Sequence, residues 1–347
     1  MTDTPKTHVI ILDGTMSSIL RCHETNAGLL WKLLVRRNDP NTNIHYEPGI
    51  QWRGYRKSIE VIAGIGLNRQ IQRAYLWLSK RWRPGDRIFL FGYSRGAYAV
   101  RSLAGVIDEN GLLKPEHATV RNTEFLYRYY QERRNSPFAP LFSRRYCWPK
   151  QSVEIEMIGV WDTVKALGLR WPLVWRLVPM ATEFHNDQLS GIVKSGYHAL
   201  ARDERRVAFA PALWHCPPNW DGHVEQVWFR GCHGDVGGQL SGFHAARELS
   251  NGPLTWMLQK AEAEGLALPD GWAAGFPHDP DAPSIGMNRG FGWMFRYRRA
   301  RAIGVDPSER MFDGTTVPVK LKHSARIGKI LRNRPRFSTL LARRGWH

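Results

Sequence analysis

A serine flanked by two glycines has the most reactive setting in this chain. Gly92, Ser94 and Gly96 alternate within the sequence RIFLFGYSRGAYAVR, which covers residues 87–101. A serine hydroxyl becomes a nucleophile when a histidine takes its proton and an acid orients that histidine. The pattern therefore predicts a serine hydrolase with a nucleophile elbow, in which the amide of Arg95 donates to an oxyanion. The alternative is that Ser94 only caps the helix that follows it.

The residues around Ser94 predict the strand and the helix that such an elbow needs. Residues 88–91 form a continuous apolar run, as in a strand buried on both faces of a parallel sheet. From Ala97 to Ile107, apolar residues recur at steps of three and four, which is the period of a helix with one buried face. A sharp turn between these two elements places the serine hydroxyl at the C-terminal edge of the sheet.

Polar residues also follow two other predicted strands. A strand over residues 8–12 ends in an Asp-Gly-Thr turn, and the amide of Gly14 or Thr15 is a candidate second oxyanion donor. A plain turn is the alternative. A strand over residues 155–161 ends in Asp162, which is a candidate triad acid or a capping residue.

A further strand, over residues 224–229, opens into the glycine-dense segment 231–238. Its backbone freedom allows a carboxylate to be aimed at a histidine, so Asp235 is the predicted triad acid. Asp162 lies between bulkier neighbours, and it is then predicted to hold a loop in place beside the site. His233 is an alternative base, but it lies only two residues from Asp235, which makes a hydrogen bond between them awkward.

The remaining segments predict one α/β domain over residues 1–347, with a mostly parallel sheet flanked by helices. Helices are predicted over residues 67–82, 189–200 and 254–265. Insertions or cap segments are predicted over 114–150 and 266–318, and a basic C-terminal segment over 319–347.

The composition restricts the class of partner. Lysine and arginine total 49 against 31 acidic residues, and the net charge of +18 predicts attraction to anionic surfaces. No RNA-binding motif, helix-turn-helix or zinc finger is apparent, so nucleic acid is not an expected partner. The 4 cysteines have no paired spacing, which predicts neither disulfides nor a metal site and fits a reducing compartment. The N-terminus does not have the pattern of a secretory signal, and no apolar run is long enough to span a bilayer.

Six stretches carry a resemblance to a known family. They are ILDGT (11–15), PGDRIFLFGYSRGAYAVR (84–101), GVWDT (159–163), YHALARDER (197–205), WFRGCHGDVGG (228–238) and the pair His323-Ser324. In order and spacing they resemble the uncharacterised α/β-hydrolase domain family that includes type VI secretion phospholipase effectors. The first motif of that family commonly has Phe and Asn where this chain has Leu12 and Ser17.

The resemblance implies an α/β-hydrolase fold with Ser94 as nucleophile, Asp235 as acid and His323 as base, in the chain order of that fold. In the effectors the reaction is hydrolysis of glycerophospholipid esters. We therefore expect a serine hydrolase without metal or organic cofactor, cytoplasmic in the producing cell and open to export without a signal peptide. The expected partners are a phospholipid or other ester substrate, an anionic membrane, and a secretion or immunity protein. The alternatives are a hydrolase of a soluble ester or thioester, and a basic binding module that keeps the fold without catalysis.

Overall fold

Parallel strands form the centre of the protein. The computed structural model describes residues 4–17, 19–20, 23–49, 65–132, 138–164, 188–216, 222–289, 295 and 297–315. Across the sheet the strands are β2 (Thr42–Glu47), β1 (Thr7–Leu12), β3 (Arg87–Tyr93), β4 (Ile155–Trp161), β5 (Val193–Ala201), β6 (His223–Phe229) and β7 (Glu309–Met311). Each pair of neighbours is parallel, which confirms the predicted α/β class.

Helices cover both faces of this sheet. They are α1 (Asn26–Arg37), α2 (Ile65–Arg81), α3 (Arg95–Asn110), α4 (Val120–Glu132), α5 (Phe138–Tyr146), α6 (His233–Gly237) and α7 (Arg247–Ala263). Alternate side chains of β3 enter two separate apolar cores, since Leu90 packs with α2 and α3 whereas Phe89 packs with α1 and α7. The predicted burial of this strand on both faces is confirmed.

The helix predicted over residues 189–200 is wrong, because β5 occupies most of this stretch. Within β5 only Lys194 is exposed, and the strand lies between β4 and β6 in the sheet. A strand buried on both faces carries buried residues at every position, so a helical spacing can be found among them by chance. The fully buried setting of β5 explains the error.

The two edge strands could not be predicted from apolar runs, since β2 reads TNIHYE and β7 reads ERM. The segment 114–150 contains α4 and α5, and Leu126 and Tyr127 of α4 are buried in the core with α2. The segment 266–318 contains β7, and residues 319–347 lie outside the described residues. Among the residues described, no helix has both the length and the apolar character needed to cross a membrane.

Candidate active site

Ser94 stands at a sharp turn between β3 and α3. Its φ of 57° and ψ of −118° are values that a residue with a Cβ rarely adopts. Two glycines allow the turn: a Cβ at Gly92 would lie 2.6 Å from the carbonyl oxygen of Gly96, and a Cβ at Gly96 would lie 2.0 Å from that of Leu12. The predicted strand, turn and helix are confirmed. The Ser94 side chain makes no capping bond to α3, so the capping alternative is wrong.

The Ser94 hydroxyl contacts a histidine instead. Its Oγ lies 2.9 Å from Nε2 of His233, and Nδ1 of the same ring lies 2.5 Å from Oδ2 of Asp162. Asp162 directly follows β4 and His233 begins α6 after β6, so both residues lie at the sheet edge where β3 ends. All three side chains are buried, and they form one continuous chain of hydrogen bonds.

Neighbouring side chains fix the orientation of His233. The rings of Tyr93 and Phe209 pack against the imidazole, with centroid separations of 4.9 Å and 4.7 Å. The backbone N–H of His233 donates to Oε2 of Glu204 at 3.1 Å, and Arg206 forms an ion pair of 2.6 Å with the same carboxylate. These contacts restrict the ring to few alternative orientations.

The carboxylate of Asp162 accepts hydrogen bonds from several donors. Oδ1 accepts from the backbone N–H of Ala201 at 3.0 Å, and Arg301 donates to Oδ1 at 2.5 Å and to Oδ2 at 2.9 Å. Burial by itself raises the pKa of Asp162, but the charge and hydrogen bonds of Arg301, together with His233, hold the pKa well below its ordinary value. Asp162 is therefore ionised at neutral pH. It accepts the Nδ1 proton of His233, which leaves Nε2 as the acceptor for the Ser94 hydroxyl.

Asp235, the predicted triad acid, has a different position. Its carboxylate accepts hydrogen bonds from the backbone N–H of Cys232 at 2.7 Å, from Ser284 Oγ at 2.5 Å and from the backbone N–H of Ile285 at 2.8 Å. In the described part of the chain, no hydrogen bond joins it to an imidazole. The side chain caps α6 and ties it to the segment that contains Ser284, so the structure brings Asp162 rather than Asp235 to His233.

The predicted base, His323, lies outside the described residues. The alternates Asp162 and His233 are the residues that the structure brings to Ser94. Their sequence signal was their place after predicted strands, since Asp162 directly follows β4 and His233 lies in the glycine-dense segment after β6. Arg301 had no such signal, because it lies in a segment rich in Gly, Pro and Arg that predicts only loop or cap structure.

The loop after β1 lies against the elbow. A Cβ at Gly14 would come within 2.5 Å of the Tyr93 ring and 3.3 Å of Ser94 Cβ. The amide of Gly14 already donates to Oδ1 of Asp13 at 2.7 Å, and the carbonyl oxygen of Thr15 accepts a hydrogen bond from Gln239 at 3.0 Å. Of the two predicted donors, Thr15 is the one whose amide is not engaged by Asp13.

Arg95, the first residue of α3, has a partly buried side chain. Burial lowers the pKa of its guanidinium to about 10. Within the described residues the guanidinium makes no hydrogen bond and no ion pair. A desolvated cation without a partner is unusual in a protein, because burial of an unpaired charge is unfavourable.

The arrangement has the parts that acyl transfer requires. The Ser94 hydroxyl contacts an imidazole, an ionised carboxylate orients that imidazole, and the loop that contains Gly14 lies against the serine. Within the described residues, no group of three or more His, Cys, Asp and Glu side chains is arranged to hold a metal ion.

A comparison with known protein families identifies one family. Residues 6–260 match the family model described as T6SS, Phospholipase effector Tle1-like, catalytic domain. The uncharacterised protein YEL023C of Saccharomyces cerevisiae is 30% identical over 231 residues, which are 59% of this chain and 32% of the yeast protein. The chain therefore spans about a third of that relative.

Two solved structures are similar at lower identity. One is the Tle1 effector bound to the VgrG spike from the type 6 secretion system, with 18% identity, a TM-score of 0.37 and coverage of 67% of this chain and 51% of the effector chain. The other is an uncharacterised protein from Pseudomonas aeruginosa, with 15% identity, a TM-score of 0.41 and coverage of 79% of this chain and 49% of that chain.

Proposed function

The chain belongs to the Tle1-like catalytic-domain family of type VI secretion phospholipase effectors, and we propose that it is a serine hydrolase that cleaves glycerophospholipid esters. The observation that carries this proposal is the chain of hydrogen bonds from Ser94 through His233 to Asp162. Family membership supports an ester hydrolase. The serine mechanism and the lipid substrate are our proposals.

In the proposed mechanism, Nε2 of His233 takes the proton of Ser94 as Oγ attacks the ester carbonyl carbon. The carbonyl oxygen becomes an oxyanion, which the amides of Arg95 and Thr15 stabilise. Asp162 holds the imidazolium through Nδ1. His233 then gives the proton to the leaving alcohol oxygen, and an acyl group remains on Ser94. Water repeats the cycle and releases the free fatty acid, and no step requires a metal or an organic cofactor.

The Arg95 guanidinium has no partner among the described residues, which supports an anionic ester as substrate. Arg95 directly follows Ser94 in the chain, and we place the anionic group of the substrate at this cation. In a glycerophospholipid the glycerol unit carries both the esters and the phosphate, so an ester at Ser94 brings the phosphate near Arg95. A guanidinium is well suited to bind a phosphate.

The surface of α4 and α5 supports contact with a bilayer. Val120, Phe125 and Leu141 are 61%, 41% and 60% exposed, which is high for apolar side chains. Exposed basic residues share these helices: Arg121, Arg128, Arg144 and Arg145. Apolar side chains beside cations are typical of surfaces that bind anionic lipid. We call these residues the arginine-apolar surface and propose an anionic membrane as its partner.

The relatives suggest further partners for this chain. Because a Tle1 effector has been solved bound to the VgrG spike, we propose that a secretion spike carries this protein out of the producing cell, where it is first cytoplasmic. An immunity protein in the producing cell is the corresponding protective partner. A hydrolase of a soluble ester or thioester, and a non-catalytic basic module, remain the alternatives.

A fluorophosphonate probe tests the serine mechanism, because it reacts covalently with activated serines. The wild-type protein should be labelled at Ser94 and should release fatty acid from phosphatidylglycerol vesicles. The Ser94→Ala variant should lose labelling and at least about 10³-fold in turnover while keeping its melting temperature. Absence of labelling in the folded wild type would favour the binding module, and labelling without release of fatty acid would favour a soluble ester.

A further inference from the structure

Arg301 reaches the proposed triad acid from a distant part of the chain. Its terminal nitrogens donate to the two oxygens of Asp162, at 2.5 Å and 2.9 Å, in the bidentate geometry of a guanidinium and a carboxylate. The same two nitrogens donate to the carbonyl oxygens of Ala201 and Phe209, at 2.7 Å and 2.6 Å. The Arg301 side chain is only 3% exposed, so water has little access to this pair.

A short segment, residues 297–301, delivers this side chain, and we call it the strap. Two backbone hydrogen bonds join the strap to the stretch after β5: Val207 N–H to Tyr297 O at 3.0 Å, and Arg299 N–H to Arg205 O at 2.7 Å. That stretch also carries Phe209, which packs on His233. The strap lies beyond residues 6–260, the part of the chain that matches the family model.

We propose that Arg301 is a positioning residue for catalysis, which fixes the Asp162 carboxylate toward His233 and balances its charge. This inference rests on the proposed function, because it concerns the same triad. A buried carboxylate needs a partner for its charge, and a single backbone donor, that of Ala201, would not replace a guanidinium. The fork of Arg301 also fixes the carboxylate plane, so that Oδ2 stays directed at Nδ1 of the imidazole.

The charge of Arg301 also influences the protonation of His233. Asp162 attracts a proton to the imidazole, and Arg301 opposes this attraction. When Arg301 is removed, the negative charge of Asp162 beside the imidazole is left unbalanced, and a negative charge favours the protonated form of a neighbouring base. Since the base acts only when it is unprotonated, activity at low pH should fall and the acid limb of the pH profile should move to higher pH.

The other titratable or charged groups around the site cannot produce the same shift. They are Asp13, Tyr93, Arg95, His198, Glu204, Arg206, Cys232 and Asp235. Burial lowers the pKa of His198 to about 3 and raises the pKa of Cys232 to about 12. Burial also raises the pKa of Tyr93 well above its ordinary value, and Glu204 and Arg206 remain paired with each other. Within the described residues none of these groups makes a hydrogen bond to Arg301, so its replacement acts first on Asp162.

The test compares Arg301→Gln and Arg301→Lys with the control Arg230→Gln. Arg230 also donates to two backbone carbonyls, those of Pro280 and Ala282 at 2.8 Å each, but it makes no hydrogen bond to Ser94, His233 or Asp162 in the described structure. The pH dependence of kcat/KM for a monomeric soluble ester and the melting temperature are measured for each protein.

Arg301→Gln should lower kcat by about 10²-fold, because the carboxylate is no longer fixed. It should also raise the midpoint of the acid limb by about one pH unit. Arg301→Lys keeps the positive charge but not the planar bidentate geometry of the guanidinium. Its kcat should therefore fall while the midpoint of the acid limb stays near that of the wild type. Arg230→Gln should leave the midpoint unchanged even where it lowers the melting temperature.

A folded Arg301→Gln variant with the wild-type midpoint would overturn the proposal. If that variant does not fold, the test measures Arg301→Lys in the Asp162→Asn background. There Arg301→Lys should change kcat by less than about twofold, because the two residues act together. An undiminished effect in that background would also overturn the proposal. Undiminished turnover by Ser94→Ala would contradict the proposed function itself, which separates the two failures.

Discussion

Nδ1 of His233 and Oδ2 of Asp162 lie 2.5 Å apart, although 71 positions separate the two residues in the chain. Asp235 lies only two positions from His233, yet its carboxylate binds Cys232, Ser284 and Ile285. The fold therefore separates two roles. One aspartate orients the imidazole, and the other holds the short helix that carries it.

Replacing each aspartate in turn by asparagine should separate the orienting role from the helix-capping role. Asp162→Asn presents an amide to His233 and loses control of its tautomer, so kcat should fall by about 10⁴-fold. Asp235→Asn weakens the cap of α6, so its main effect should be a lower melting temperature, with kcat within about tenfold of the wild type. Ester hydrolysis and thermal unfolding are measured for both variants. A stable but inactive Asp235→Asn protein would contradict this assignment.

Asp13 should make stability depend on pH. Burial raises the pKa of Asp13 to about 6, despite hydrogen bonds from Thr25, Tyr46 and Gly14. The folded protein therefore binds this proton more tightly than the unfolded chain, and the resulting stability is complete below the ordinary pKa of 3.8 and is lost as pH rises through about 6. Asp13→Asn cannot titrate.

The free energy of unfolding of the wild type, relative to Asp13→Asn, should thus fall by about 2 kcal/mol between pH 4 and pH 7. Urea denaturation of both proteins across this range measures the difference. The comparison remains valid if the variant is less stable at every pH, since only the change with pH is predicted. Parallel stability curves would show that Asp13 does not titrate in this range.

The elbow could be predicted because its determinants are local. The apolar strand, the two glycines around Ser94 and the apolar stripe of α3 all lie within about twenty consecutive residues, and each acts on its neighbours. The two-sided burial of β3 followed from its continuous apolar run for the same reason. The local sequence pattern therefore sufficed to predict the position of Ser94 at the turn.

The partners of Ser94 depend on contacts between distant strands, which local pattern does not encode. Glycine content favoured Asp235, but Ser284 and Ile285 bind its carboxylate from about fifty positions away. The pairing of β4 with β5 brings Ala201 to Asp162, and β5 itself was misassigned as a helix. Arg301 arrives on the strap, whose sequence carries no periodic signal. These residues could be placed only once the strand order was known.

Vesicle binding tests the arginine-apolar surface. Arg144→Glu/Arg145→Glu should weaken binding to vesicles that contain phosphatidylglycerol by at least about tenfold, because each basic residue near an anionic surface contributes about 1 kcal/mol. Arg36→Glu/Lys80→Glu is a matched control, since it changes the net charge equally and also lies in the last turns of two helices. Binding is measured by co-sedimentation in the Ser94→Ala background at low and high salt. Equal loss in both double variants would assign the attraction to net charge alone.

Replacement of Arg95 tests the recognition of the phosphate. Gln and Lys at position 95 both keep the backbone amide that we assign to the oxyanion, so these changes of side chain should act on substrate recognition. Arg95→Gln removes the proposed charge-assisted hydrogen bond from the guanidinium to the substrate phosphate, and such a bond contributes about 1.5–3 kcal/mol. The ratio of kcat/KM for a short-chain phosphatidylglycerol to that for the matching diacylglycerol should therefore fall by about 10- to 100-fold. Arg95→Lys should retain part of this preference because it keeps the charge, and Arg36→Gln on α1 is the control for net charge. If Arg95→Gln hydrolyses both esters in the wild-type ratio, the guanidinium does not bind the phosphate and the specificity for phospholipid must come from elsewhere in the chain.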